Sequence, residues 1–414
     1  MKIVVSHPTG NQFSRSFISA LSKNDMLTEF HTTVAVDPAA FWLKLLPAKV
    51  KRECLRRSYP IPYNKIQKHP LVEIARIVAG QTHIRKYIKS EISWANVDAV
   101  YKDLDLKVAK RLEALSKGTR PDAIYSYEDC SEFSFNKAKE FDIKCLYDLP
   151  IGYWRTARLL LKKELERWPD WADTLTGFRD SEEKLARKDE ELRLADKIFV
   201  ASQFTAKTLN DFSGKLAPVK VIPYGFPPVI ENRDYLIKIS EGAPLKLLFV
   251  GGLSQRKGIA DLFAAVKAFG KHVELTLVGK SAGNNCAVLN EELKKHRWIP
   301  SLPHAGVLKL MREHDVLVFP SLFEGFGLVI TEAMAQGTPV ITTDRTAGPD
   351  IIRDGENGWL IEAGSTEKLK LAIENILIHP YLIEKTGRAA IETASQRPWD
   401  VYGSELINAV MYNN

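Results

Sequence analysis

Short apolar bursts alternate with longer amphipathic stretches along the first half of the chain. Lys2–Ser6, Ala123–Ser126, Lys144–Tyr147, Lys197–Ala201 and Val219–Ile222 are β-rich runs. Ser14–Leu21, Leu104–Leu115, Arg155–Trp168, Ser181–Leu194 and Phe204–Phe212 carry helical patterns between them. Short buried strands alternating with helices predict parallel βαβ units. Residues 38–100 fit the rhythm poorly and read as an insertion of helices and loops.

Pro223-Tyr224-Gly225-Phe226-Pro227-Pro228 is rich in turn formers and follows a strand, so it reads as an interdomain linker. A second series begins beyond it. Leu245–Val250, Glu274–Val278, Val316–Phe319 and Pro339–Thr342 are expected strands, with helices at Gly258–Phe269, Asn290–His296, Val307–His314 and Leu328–Gln336. The pattern predicts two doubly wound α/β domains facing a cleft: residues 1–225, and residues 226–396. Ligands of such sheets bind beyond the carboxyl ends of the strands, so chemistry is sought just after each strand.

Composition changes this picture in two places. Cys54, Cys130, Cys145 and Cys286 form no CxxC pair, which suggests reduced thiols and a cytoplasmic setting and speaks against a zinc site. No apolar run reaches the roughly 18 residues of a membrane span. The formal charge of +7 is uneven: between Lys49 and Lys89 only Glu53 and Glu73 oppose the cations, and Phe41, Trp42, Leu43, Leu45 and Leu46 lie just upstream. Such a segment 49–89 suits either peripheral contact with an anionic membrane or a solvated basic loop beside a core helix. No nucleic-acid motif accompanies the charge, so no nucleic-acid partner is expected.

Two loops carry candidate chemistry. Phe319-Pro320-Ser321-Leu322-Phe323-Glu324-Gly325-Phe326-Gly327-Leu328 is a strand running into a glycine-containing loop, followed by a helix carrying Glu332. The glycines permit close backbone approach, the helix start offers unpaired N–H groups to phosphate, and two carboxylates suit sugar and ribose hydroxyls. Acids near a helix start also arise simply from the helix dipole. Leu248–Gly258 repeats the theme: Gly251 and Gly252 end a strand, then Arg256 and Lys257 offer charge for a diphosphate. Neither a Walker A loop nor G-x-G-x-x-G is present.

These segments resemble glycosyltransferase family 4, retaining enzymes of GT-B fold. The resemblance rests on Glu324-Gly325-Phe326-Gly327-Leu328 with Glu332 (the E-x7-E signature), on Gly251–Gly258, and on Val340–Gly358 with Gly348, Gly355 and Gly358. Ala195–Ser202 and Val221–Gly225 match more loosely. It implies a nucleotide sugar as donor, a saccharide or glycolipid as acceptor, and no metal or other cofactor. Glu324 would contact donor sugar hydroxyls and stabilise rather than attack, Glu332 would hold the ribose, and Arg256 and Lys257 would bind the diphosphate with backbone N–H groups of Phe326–Leu328. Trp298 would lie near the base. Many members carry Arg where this chain has Gly252, so Arg256 is expected to supply part of that charge. A terminal helix, residues 397–414 with Trp399 and Tyr402, would cross back to complete the first domain.

On the acceptor side, Gly10 and Asn11 follow the first strand and Asp148 follows another. Asp148 is a candidate base or a helix cap. Tyr153, Trp154 and Arg155 are candidates for stacking on a sugar acceptor, or for aromatic core packing. Asp103-Leu104-Asp105 spells D-x-D, but within a helical pattern, which favours a solvated helix face. Competing readings are a nucleotide-sugar epimerase or phosphorylase of the same architecture, and a non-catalytic membrane-associated protein. Donor turnover lost with Lys257 would separate catalyst from scaffold.

Overall fold

The computed structural model describes residues 1–81, 93–235, 239–282 and 286–412. Two wholly parallel sheets organise the chain. The first contains β1 (Ile3–Ser6), β2 (Leu27–Thr32), β3 (Ile66–Lys68), β4 (Ala123–Tyr127), β5 (Lys144–Leu149), β6 (Lys197–Val200) and β7 (Val219–Val221), in the order β3-β2-β1-β4-β5-β6-β7. The second contains β8 (Leu245–Val250), β9 (Val273–Val278), β10 (Arg297–Ile299), β11 (Val316–Phe319), β12 (Val340–Thr343) and β13 (Trp359–Ile361), in the order β10-β9-β8-β11-β12-β13.

The central strands are buried on both faces, as parallel sheets covered by helices require: Val4, Val5, Leu247, Leu248, Phe249, Leu317 and Val318 are inaccessible to solvent. In each sheet the order reverses beside the first strand, between β1 and β4 and between β8 and β11. Such switch points open a crevice at the carboxyl ends. The loops after β8 and β11, which carry Arg256–Lys257 and Glu324, flank the second one.

Within residues 38–100, of which 82–92 lie outside the described residues, the expected helices are present at Ala48–Leu55 and Leu71–Gln81, with one element that the pattern does not predict. This is β3, an edge strand in register with β2 through Phe30 and Ile66. Its three residues Ile66-Gln67-Lys68 alternate too briefly to stand out in the sequence. β2 is equally hidden, because Glu29 and His31 interrupt its apolar run while being buried as a pair, His31 Nε2 lying 3.1 Å from Glu29 Oε2. D-x-D falls inside the helix Val97–Ser116, where Asp103 pairs with Lys107 and Asp105 accepts the amides of Phe133 and Ser134.

The chain crosses between the sheets twice, side by side. Phe226 bridges Pro398, and Arg397 donates to the Pro223 carbonyl at 2.6 Å. The helix Trp399–Met411 then packs on the helix Gln12–Lys23: Ser16 Oγ donates to Trp399 O at 2.7 Å, and Gly403 lies against Ala20 and Ser16. Lys197 caps its far end through the carbonyls of Ala409 and Tyr412. No helix among the described residues is long and apolar enough to cross a membrane.

Candidate active site

The loops after β8 and β11 are bound to each other as one unit. Leu322 N and Ser321 Oγ both donate to the Arg256 carbonyl, at 2.9 and 3.2 Å, and Arg256 Nη1 donates to Phe323 O at 2.8 Å. Gly258 closes the turn in a left-handed conformation (φ +70°), and a Cβ there would lie 2.0 Å from the Pro320 carbonyl oxygen. Only glycine satisfies both conditions.

This clasp focuses charge on one oxygen. Glu324 Oε1 accepts from Arg256 Nη1 at 2.9 Å, from Ser321 Oγ at 2.9 Å and from Lys257 Nζ. Burial pushes the Glu324 carboxyl up, but Lys257 and Arg256 outweigh it and hold the group below its ordinary value. Burial lowers the Lys257 ammonium, opposed by Glu324 and assisted by Arg256; its Nζ also lies 4.9 Å from the centre of the Phe319 ring. Two cations share one carboxylate in a desolvated place, so the unit carries an excess positive charge.

The helix Leu328–Ala335 begins directly after Gly327, and no side chain caps its N-terminus. Its first amides are therefore a second anion-attracting feature beside the cations. Glu332, one turn in, accepts from His304 Nε2 at 3.0 Å, and burial raises its carboxyl above the ordinary value. Gly252 has open space around it. Gly251 is pinned by its N–H to Val278 O at 2.9 Å. Trp298 lies on the edge strand β10, partly exposed, with its indole N–H donated to Gly279 O at 2.9 Å. Phe326 is buried against Tyr224, ring centres 4.9 Å apart.

Gly325 has a different surrounding from the one expected. A Cβ there would fall 1.8 Å from the Pro150 carbonyl oxygen, and its own carbonyl accepts from Ser202 Oγ at 2.6 Å and Thr205 Oγ1 at 2.9 Å. Its missing side chain lets the first sheet's loops approach the second, not a ligand.

The acceptor-side candidates are each held in structural contacts. Asn11 is the N-cap of the helix Gln12–Lys23, accepting from Ser14 N at 3.1 Å. Gly10 makes room for the Tyr59 ring, which a Cβ would meet at 2.1 Å. The loop is organised by His7, whose Nδ1 accepts the amides of Thr9 and Gly10 at 3.1 and 2.8 Å and whose pKa burial lowers to about 3. Tyr153 is buried and donates to Asp189 Oδ1 at 2.7 Å, so its ring offers no stacking face. Asp148 is buried too, accepting from Tyr125 OH at 2.6 Å; burial raises it to about 7, with that hydrogen bond opposing. It neither caps the following helix nor has an open path to a hydroxyl.

Instead, a cavity of about 220 Å³ opens beside Arg256. Trp154, Arg158 and Leu161 of the helix Trp154–Arg167 line one side, Lys188 and Phe178 another, and Phe323 the side nearest Glu324. Arg158 Nε is buried with no hydrogen-bond partner, although its Nη2 donates to Asp180 O at 3.0 Å. A polar network also ties the two sheets' segments together. Gln255 Nε2 donates to Glu164 Oε2 at 2.9 Å and to Asp261 Oδ2 at 3.2 Å, and Arg167 bridges the same two acids, each at 2.7 Å. These residues carry no motif. The aromatic–arginine cluster Trp154-Arg155…Arg158, directly after Tyr153, is their one signal in the sequence.

Residues 237–396 match the family model described as Glycosyl transferases group 1. The chain is 31% identical over 207 residues to a glycogen synthase of Mycobacterium tuberculosis, covering 48% of this chain and 50% of that protein, so it spans about half the length of that relative. It is 26% identical over 338 residues to a D-inositol 3-phosphate glycosyltransferase of Corynebacterium glutamicum, covering 73% and 79%. Among solved structures, sucrose-phosphate synthase from Thermosynechococcus elongatus superimposes over 99% of this chain and 98% of that one, with a TM-score of 0.66 at 17% identity. The two sheets therefore form a GT-B fold, and the part of it that holds Arg256, Lys257, Glu324 and Glu332 is similar to the group 1 glycosyl transferases.

Proposed function

We propose that the chain is a retaining glycosyltransferase that moves a sugar from a nucleoside-diphosphate sugar to a hydroxyl of a saccharide or glycolipid acceptor, without a metal ion. The observation that carries this reading is the shared carboxylate of Glu324 between Arg256 and Lys257, beside an uncapped helix start at the β8/β11 switch point.

Breaking the anomeric C–O bond leaves negative charge on the diphosphate and positive charge on the sugar. Arg256, Lys257 and the amides after Gly327 stabilise the first, in a desolvated site where such fields act strongly. Glu324 orients both cations and receives sugar hydroxyls on its other oxygen. Glu332 holds the ribose. The acceptor hydroxyl enters from the cavity lined by Trp154 and Arg158 and attacks the face the phosphate leaves, its proton passing to the departing phosphate oxygen. An acceptor cavity bounded by both halves of the fold favours transfer over epimerisation, which needs no second substrate.

Incubating the protein with single nucleotide sugars and candidate acceptors, read by mass spectrometry, tests this. Transfer or slow donor hydrolysis that disappears in Lys257→Ala is expected. A donor left untouched by wild-type protein, or turned over equally by Lys257→Ala, would overturn it.

A further inference from the structure

Exposed apolar side chains recur at high density in one short stretch of the sequence. Phe41 (71% exposed), Trp42, Leu45 (72%), Val50, Leu71 (74%), Ile74 and Val78 all lie between residues 41 and 78. On the helix Leu71–Gln81, Leu71, Ile74 and Val78 form one stripe at helical spacing and face solvent, whereas Glu73 and Ala79 are buried and Glu73 accepts both Nε and Nη2 of Arg76. A soluble helix normally shows the opposite arrangement. The helix Ala48–Leu55 has no buried residue at all, and the preceding turn Phe41–Leu45 buries only Leu43. Arg57 joins these segments, its Nη2 lying 3.8 Å from Glu73 Oε1.

Charge names the occupant. From Phe41 to Arg76 there are nine Lys and Arg against Glu53 and Glu73, so this stretch alone accounts for the formal +7 of the whole chain. We propose that this face docks on an anionic lipid bilayer surface. Phe41, Trp42, Leu45 and the Leu71–Ile74–Val78 stripe enter the headgroup region, and Lys44, Lys49, Lys51, Arg52 and Arg56 bind lipid phosphates. Aromatic side chains favour that interfacial depth, and clustered cations are attracted by anionic headgroups. A second copy of the chain would bring the same dense positive charge against itself. A nucleic-acid backbone would satisfy the cations but leave the apolar stripe in water.

The docking is independent of the transfer reaction and is read without a donor. The full chain is sedimented with phosphatidylcholine vesicles, with or without phosphatidylglycerol. Binding is expected only with the anionic lipid, and weaker at high salt. Phe41→Ser with Trp42→Ser, and separately Lys49→Glu with Lys51→Glu, should each lower vesicle affinity by about tenfold or more while leaving the melting temperature unchanged, because all four side chains lie outside the core. Equal binding to neutral and anionic vesicles, no binding to either, or variants that bind as wild type would overturn the proposal. So would a concentration-dependent dimer abolished by the same substitutions.

Discussion

Nη1 of Arg256 stands 2.9 Å from Oε1 of Glu324, the same oxygen that Lys257 reaches. Two cations on one buried carboxylate leave the site short of negative charge, which the proposed diphosphate would supply. Removing one of them removes stabilisation of the leaving group in the transition state. Lys257→Ala is therefore expected to lower kcat by about 100-fold to 1,000-fold, on the scale of a lost oxyanion contact. Glu324→Gln should both lower kcat and reduce thermal stability, since it leaves two partly buried cations facing one another without a counter-charge. Steady-state kinetics and melting curves of the two variants check this; a Glu324→Gln protein of unaltered stability would mean the ion cluster is not formed.

Ala157 lines the cavity between Trp154 and Arg158. Filling the space with Ala157→Trp should raise the acceptor KM by about tenfold or more, while donor affinity measured by calorimetry stays within about twofold. Donor affinity falling in parallel would assign the cavity to the donor instead.

Gly325 and Pro150 join the two sheets' loops without room for a methyl group: a Cβ would lie 1.8 Å from the Pro150 oxygen. Gly325→Ala must separate the loops or distort both, which costs about 1–3 kcal/mol by analogy with overpacked cores. A lower melting temperature and a larger radius of gyration by X-ray scattering are expected. Ser202→Ala, which loses the 2.6 Å hydrogen bond to the Gly325 carbonyl together with the helix cap that Ser202 Oγ makes by accepting from Thr205 N at 3.1 Å, should also lower the melting temperature.

Much of the fold is legible in the sequence because parallel strands buried on both faces leave an unmistakable apolar mark; Val316–Phe319 and Leu245–Val250 are expected and observed alike. β2, β3 and β13 are not, since a buried His31–Glu29 pair interrupts the first and the other two are three-residue edges too short to set a strand period. The same asymmetry divides the site residues. Arg256, Lys257 and Glu324 lie in loops of local sequence that fold onto one another, and they meet. Gly10, Asn11, Asp148 and Tyr153 are candidates from their position after a strand alone. Three of them are committed to contacts distant in sequence: Tyr59 against Gly10, Tyr125 on Asp148, Asp189 on Tyr153. Asn11 is committed to capping its own helix. The cavity beside Arg256 draws on residues from Glu128 to Phe323, and the cluster Trp154-Arg155…Arg158 is the one local pattern that points to it.

Asp148 also sets a pH dependence. Its carboxyl is raised by burial from 3.8 to about 7 in the folded chain. Between those values the folded protein holds a proton that the unfolded chain has released, so this group makes stability fall as pH rises through the interval and adds nothing further above it. Asp148→Asn keeps an acceptor for Tyr125 and cannot ionise. Relative to wild type it should become progressively more stable as pH rises from about 4 to about 8, gaining at most about 1.4 kcal/mol per pH unit within the interval. Urea unfolding of both proteins across that range is the check; a difference that does not vary with pH would contradict it.

The central claim is a diphosphate site built from Arg256, Lys257 and the helix start at Leu328. The most direct measurement is thermal stability against UDP, GDP, ADP and their sugar conjugates, with and without EDTA, on wild-type protein and Lys257→Ala. One nucleotide family should stabilise the wild type, by about 2.7 kcal/mol at a hundredfold excess over Kd, unaffected by EDTA and lost in the variant. Stabilisation by none of them, stabilisation that EDTA abolishes, or a shift that persists in Lys257→Ala would contradict the account.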